Sequence, residues 1–566
     1  MNRHFPALCG IAALTLLTSC APGNGASSTP VESWQVDVPD VDHPGGETPQ
    51  WWYRSGAARA AGNGAMNGNA KNVILFLGDG MSLTTVAAAR ILDGQRKGGP
   101  GENNLLSWEH FPATALSKTY NTDAQVPDSA GTMSAVTTGI KTHMGAIGVS
   151  AGEVDNCAQS LDHRVLNWLE LADSAGLSAG IVTTTRLTHA TPAASWTHSP
   201  NRNWENDTQL PDAAKTEGCR DIAQQFLDAR YGQGPQVLMG GGRGNFLPST
   251  QADPEDPNQN GARGDGRNLI EEWQAAHPGG AYAWNAQQFA AATSAETPAL
   301  LALFNYDHMQ YEHDRPQDTG GEPSLAQMTL AAINTLKRNP NGYVLMVEGG
   351  RIDHASHAGN AYRALTDTVA LSEAVQAAID ATSAQDTLII VTADHSHTMS
   401  FVGYPVRGNP ILGKVRGSSG EGASNDYARD GLGLPYTTIN YANGPGYTGA
   451  SNQQPAGPKR FEHYPRRFEP ANGRPNLTDV NTEDPDYMQE ALFPSGSETH
   501  GGDDVGIWAR GPGSEAFRGT VEQNTIYHVI VQATPKLRQR LCAANTCNGQ
   551  GVPVDLPRPA DFEKRR

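Results

Sequence analysis

Val73-Ile74-Leu75-Phe76-Leu77-Gly78-Asp79 is the stretch on which the fold turns. Five apolar residues follow one another without the alternation of a half-exposed strand, which reads as a strand buried on both faces. Similar runs recur at Ile181-Val182, Val237-Leu238-Met239, Tyr343-Val344-Leu345-Met346-Val347 and Leu388-Ile389-Ile390-Val391. Helical periodicity lies between them, over 84–92, 165–175, 325–336 and 361–379. Strand and helix alternating in this way predict an α/β fold: a three-layer sandwich whose large, mainly parallel central sheet is flanked by helices. From about 401 to 491 the rhythm breaks into a stretch dense in Gly, Pro, Asn and Tyr, read as an inserted subdomain.

Composition agrees with a globular chain. Gly and Pro make up ~17% of the 566 residues, below the ~25–30% that marks low complexity. With 41 basic and 59 acidic side chains the net charge is −18, and no long basic run is present. No nucleic-acid binding surface is expected from that balance. Any phosphate bound here must be attracted by something other than net charge.

The chain opens with Arg3 and His4, then an apolar stretch from Phe5 to Leu17 that is too short to span a bilayer. It reads as a signal peptide, 1–19. Leu17-Thr18-Ser19-Cys20 resembles a bacterial lipobox, so Cys20 is the expected lipidation site and the protein is expected to be exported and anchored to the cell envelope. Residues 20–50, rich in small and polar residues, read as a flexible tether. Four cysteines remain in the exported part: Cys157, Cys219, Cys542 and Cys547. An even set suits disulfides in an oxidising compartment, and four cysteines allow three connectivities. The short spacing favours Cys542–Cys547, leaving Cys157–Cys219.

Ligands of open α/β sheets bind at the carboxyl ends of the strands. Three apolar runs end in acids: Asp79, Glu348 and Asp394. Each alone is explained as a helix cap, but three converging on one edge would repel unless cations neutralise them. Asp353 and His357 lie one helical turn apart, His395 follows Asp394, and His500 precedes a Gly pair. Mixed oxygen and nitrogen sets of this kind suit zinc, and an all-oxygen set suits magnesium. Ser129 precedes a helix-like segment at 133–140, where a phosphate is welcome, and Arg202 is a fork for phosphate oxygens.

Most of these residues, His357 and Arg202 excepted, fall within six motifs that resemble the alkaline phosphatase family over nearly all of 51–547. The motifs are Phe76-Leu77-Gly78-Asp79-Gly80-Met81, Pro127-Asp128-Ser129-Ala130-Gly131-Thr132, the segment from Thr183 to Pro192, Val347-Glu348-Gly349-Gly350-Arg351-Ile352-Asp353-His354, Thr392-Ala393-Asp394-His395-Ser396-His397 and Glu498-Thr499-His500-Gly501-Gly502. The resemblance implies a catalytic core over 51–400 and 492–547, a crown-like insertion over 401–491 and a C-terminal tail, 548–566. It implies hydrolysis of small phosphate monoesters through a covalent phosphoserine at Ser129, with Arg202 clamping the phosphate. Asp353, His357 and His500 are implied ligands of one zinc, and Asp79, Asp394 and His395 of a second. Asp79 would also reach a magnesium completed by Thr191 and Glu348. Asp128, His189 and His354 stand around the substrate; the two histidines replace the Asp and Lys of the best-known bacterial enzymes, which is the animal-type pattern. Three such cations carry six positive charges against the four carboxylates of Asp79, Glu348, Asp353 and Asp394, a positive pocket in an acidic protein. A homodimer is also implied.

One position departs from the animal pattern. Its further calcium site would involve Phe304, Asn305 and Glu322, with a carboxylate around 253–256, yet Asn305 replaces an acid there. The alternative activities are a phosphodiesterase or another hydrolase of the same superfamily. Ser129 lacks the C/S-x-P-x-R motif of sulfatases, and phosphodiesterases usually use threonine and lack the third metal that Thr191 and Glu348 imply.

Overall fold

Val73, Leu75 and Leu77 face one apolar cluster, whereas Ile74 and Phe76 face another on the opposite side. A strand sends alternate side chains to opposite faces, so an unbroken apolar run is what burial on both sides requires. The same division holds for Val344 and Met346 against Leu345 and Val347, and for Leu388 and Ile390 against Ile389 and Val391. The computed structural model describes residues 34–41, 45–150, 156–294, 296–419 and 422–564. The expected signal peptide, Cys20 and the tether up to residue 33 lie outside the described residues.

The central sheet is built from β1 (Asn72–Gly78), β2 (Ala113–Lys118), β3 (Ser178–Arg186), β4 (Val237–Gly241), β5 (Ala281–Ala283), β6 (Leu300–Leu303), β7 (Tyr343–Gly349), β8 (Thr387–Ala393), β9 (Val505–Arg510) and β10 (Thr520–Glu522). Their spatial order is β10-β2-β9-β8-β1-β7-β3-β4-β6-β5. β1 pairs in parallel with β7, Leu77 opposite Glu348, and with β8, Gly78 opposite Ala393. β9 alone runs against the others, antiparallel to both β8 and β2.

Helices cover both faces. Those that matter below are α1 (Pro49–Gly62), α2 (Leu83–Arg96), α3 (Ser129–Thr138), α4 (Leu325–Leu336), α5 (Arg351–His357), α6 (Ala361–Ala381) and α7 (Thr525–Ala533). The sequence pattern places a helix over 133–140, but α3 starts four residues earlier. Asp128 is its N-cap, accepting from the Gly131 N–H, and Gly139 ends it in the left-handed region at φ 80°. A carboxylate that caps in this way satisfies one of the orphan donors of the first turn.

Residues 401–491 carry few regular elements and belong to the same compact unit as the rest of Trp34–Arg566. Their main tie is a small sheet of Met399–Phe401, Ile439–Gly444 and Ala491–Pro494. Trp34 and Val36, within the expected tether, pack against a small cluster of Ala61, Met66, Val552 and Val554. Disulfides join Cys157 to Cys219 and Cys542 to Cys547. Among the described residues no helix is long and apolar enough to cross a membrane.

Candidate metal centre and nucleophile

β1, β7 and β8 end side by side, and their last residues deliver Asp79, Glu348 and Asp394 to one edge of the sheet. All three acids are fully buried. α5 follows β7 and presents Asp353 and His357 on one face, and the short pair Ser396–His397 with His500–Gly501 brings His500 across from the far end of the chain. These residues thus converge from four separated segments.

Three donor atoms form a tripod. His357 Nε2 is 3.1 Å from His500 Nε2 and 3.3 Å from Asp353 Oδ1, and His500 Nε2 is 3.4 Å from that same oxygen. Ligands at ~2.0–2.1 Å from a tetrahedral zinc are about 3.3 Å apart, so the three separations fit such an ion. A second set repeats the spacing: His395 Nε2 lies 3.4 Å from Asp79 Oδ1 and 3.2 Å from Asp394 Oδ2. The His395 and His500 rings stack at 3.6 Å between centroids, so the two sets adjoin. Asp79, His189 and Glu348 form a third group with ligand atoms within 4.8 Å of one another. Thr191 Oγ1 donates to Asp79 Oδ2 at 3.4 Å, placing it on that side of Asp79.

Orphaned atoms mark the same places. Asp79 Oδ1, Glu348 Oε1 and His189 Nδ1 are buried without a hydrogen-bond partner. Burial raises the Asp79 pKa well above the carboxylate range, and the nearby Asp394 raises it further. Burial also raises Asp394, and pushes Glu348 up to about 7 against the Thr183 hydroxyl that donates to it. Buried carboxylates that resist ionising and still lack donors are suited to cations. Asp353 behaves oppositely: burial works against its charge, but His357, His397 and His500 hold it well below the usual range.

His397, backed by Glu498, supports Asp353, a part that neither residue's motif signals. His397 Nε2 is 2.7 Å from Asp353 Oδ1 and its Nδ1 is 2.5 Å from Glu498 Oε2. Burial disfavours the imidazolium, but the two carboxylates prevail and raise its pKa to about 10. Orienting partners of this kind fix the rotamer of a ligand and tune it. A sequence signal existed in the His two residues after His395, but its partner lies about a hundred residues further on.

Ser129 opens α3, with its Oγ 3.1 Å from His395 Nε2. Thr132 Oγ1 lies 3.3 Å from Asp394 Oδ2. Arg202 reaches the same helix end: Nη1 donates to Asp128 Oδ2 at 3.0 Å and Nη2 lies 3.3 Å from His189 Nε2. Burial opposes the Asp128 charge, yet Arg202 and the Gly131 and Gly145 amides lower its pKa. His189 and His354 face each other with ring centroids 5.3 Å apart. His189 is kept neutral first by burial and then by Arg202, and His354 by burial and Arg351.

Around the departure at Asn305, the neighbouring acids meet N–H donors. Asn305 Nδ2 donates to Glu322 Oε1 at 3.1 Å and the Gln310 amide to Oε2 at 2.8 Å. Glu255, the remaining carboxylate, takes Arg243 on one oxygen and the Gly320 amide on the other, both at 2.9 Å. N–H donors thus reach both oxygens of each acid.

A family model described as alkaline phosphatase matches residues 70–535. The tissue-nonspecific alkaline phosphatase of Gallus gallus is 42% identical over 471 residues, 82% of this chain and 84% of that one. Among solved structures, the alkaline phosphatase of Thermus thermophilus aligns with a TM-score of 0.56 and 24% identity, covering 84% of this chain and 96% of its own. A mutant of the TAB5 alkaline phosphatase, with Mg bound in its M3 site, aligns at a TM-score of 0.53 and 21% identity, covering 83% and 99%.

Proposed function

Since this chain belongs to the alkaline phosphatase family, enzymes that hydrolyse phosphate monoesters, we propose that it does so through a covalent phosphoserine at Ser129. The observation that carries this reading is the Ser129 hydroxyl, 3.1 Å from His395 Nε2 at the corner of the Asp79, Asp394 and His395 set. Asp353, His357 and His500 would hold one zinc, Asp79, Asp394 and His395 a second, and Asp79, Thr191 and Glu348 a magnesium. Bound there, these cations supply the positive charge that favours a deprotonated serine, a departing alkoxide and an activated water.

The chain's own groups do the rest. The first-turn amides of α3 and the Arg202 guanidinium receive the phosphate oxygens. Asp128 holds Arg202 in that position through its Oδ2 while its Oδ1 caps the helix. Ser129 Oγ, its proton given up to solvent, attacks phosphorus, forming the Oγ–P bond as the ester P–O bond breaks; the leaving alkoxide takes a proton from solvent and departs as the alcohol. Water then attacks the phosphoserine; Oγ–P breaks, inorganic phosphate forms and Ser129 regains its proton. The buried, neutral His189 adds a polar wall beside Arg202 without a competing charge.

The test is rapid-quench labelling with a phosphorus-labelled monoester. Ser129→Ala should lose the acid-stable phosphoenzyme and most turnover while its metal content is kept. Undiminished labelling in that variant overturns the reading. Two further proposals rest on other features: the Leu17-Thr18-Ser19-Cys20 motif supports export and a lipid anchor on Cys20. Exposed Tyr404, Leu432, Leu492 and Phe493, apolar groups in and beside the insertion, support pairing into a homodimer.

A further inference from the structure

Arg351 opens α5, the helix that carries Asp353 and His357, and its environment is unlike that of most arginines near the site. Arg186, Arg202 and Arg363 are each held by a carboxylate. Among the described residues Arg351 has no carboxylate oxygen within the 4.0 Å of an ion pair. Its guanidinium lies 3.8 Å over the Tyr311 ring, Nη1 is 2.8 Å from His354 Nδ1, and its Nε is buried with no hydrogen-bond partner. Stacking and a single hydrogen bond fix the plane of the group but leave donors unused.

Arg351 lines a cleft of about 330 Å³ together with Tyr311, Arg363 and Phe461; its Nε is enclosed, so the guanidinium meets a ligand through its Nη atoms. A continuous line of side chains runs from the phosphate clamp to this cleft: Arg202 to His189 at 3.3 Å, His189 to His354 at 5.3 Å between rings, and His354 to Arg351 at 2.8 Å. Of the acids in the cleft wall, Asp314 is spent on Arg363 at 2.8 Å, Asp318 faces Glu255, and Glu462 is exposed at the rim. None of these three is ion-paired with Arg351, although the buried Asp367 attracts it.

We propose that this cleft receives the leaving group of the monoester and that Arg351 selects leaving groups bearing a second anionic group, a carboxylate or another phosphate. The proposal rests on the monoesterase reading above and names its substrate class. A guanidinium with free donors beside an aromatic face binds a planar carboxylate in a fork, a charge-assisted contact stronger than a neutral one.

The experiment compares n-alkyl phosphates with ω-carboxyalkyl phosphates of matched length, from two to six carbons, on the metal-loaded enzyme. The carboxylated series should have the higher kcat/KM by about tenfold at the length that reaches Arg351. Arg351→Ala should remove that ratio, and Arg351→Lys should keep part of it. Because the ratio is read between two substrates of one enzyme, damage to Asp353 on the same helix cancels. A wild-type ratio near one at every length, or a ratio unchanged in Arg351→Ala, overturns the proposal. If neither series is turned over by the wild type, the monoesterase reading itself falls.

Discussion

Replacing Asp253 by Ala should be among the most destabilising single changes outside the site. Arg243 is wholly buried, and so is the Asp253 carboxylate that faces it. Arg243 Nε reaches Oδ2 and Nη2 reaches Oδ1, both at 2.7 Å, a two-pronged pair. Removing one partner of a buried pair typically costs ~3–5 kcal/mol, because the other charge stays desolvated. Here Glu255 at 2.9 Å and the Leu303 carbonyl at 2.8 Å still face the guanidinium. They bring the expected loss to the lower end, about 3 kcal/mol. Asp253→Asn keeps one acceptor but turns an NH2 toward a donor, and should cost less, about 2 kcal/mol. Urea unfolding of the zinc- and magnesium-loaded protein, with activity as a control for the native state, measures both. A loss below about 1 kcal/mol for the Ala variant, within the range of an exposed ion pair, would refute the reasoning.

Further outcomes follow from the same geometry. Arg202→Ala should raise both the KM and the product-inhibition constant for phosphate while leaving metal content unchanged; an unaltered pair of constants contradicts the clamp. Chelation should lower the melting temperature and readdition of zinc and magnesium should restore it, since each ion at a hundred times its Kd adds about 2.7 kcal/mol; a melt indifferent to chelator counts against the sites. Asp367 on α6 is buried, which raises its pKa to about 8 despite the attraction of Arg351. The native state therefore holds a proton that the unfolded chain releases near ~4, so stability is lost as pH rises from there through about 8. Asp367→Asn should accordingly gain stability over the wild type between pH 5 and 8, as read by paired thermal melts, and a gap independent of pH would exclude this titration.

The strands of the sheet's centre were legible because burial on both faces demands what the sequence displays, unbroken apolar runs. β2 and β9 were not. Ala113-Thr114-Ala115-Leu116-Ser117-Lys118 alternates buried and exposed positions with small residues, and β9 contains Gly506 and ends in Arg510. Toward the edge of a sheet the pattern is weaker, and pairing partners decide. The α3 boundary was misplaced because Asp128 serves both as a cap and as the anchor of Arg202, and only the first role has a local signature. The acids at the strand ends were readable as a group from β-sheet logic alone. The support of Asp353 by His397 and Glu498 was not, because it joins residues whose spacing carries no period. Asn305 was legible as a departure, but that Arg243 and backbone amides reach the neighbouring acids required the third dimension.

β9 has a consequence for synthesis. It sits between β8 and β2, and no earlier strand can occupy that slot. While the ribosome has delivered only the first ~500 residues, the sheet ends at β8 with an open edge, and β2 is a lone strand whose neighbours β9 and β10 are still to come. His500 arrives only just before the strand that closes the gap. Open edges invite pairing with foreign strands, so the β8 edge stays exposed to such pairing until almost the last tenth of the chain has emerged.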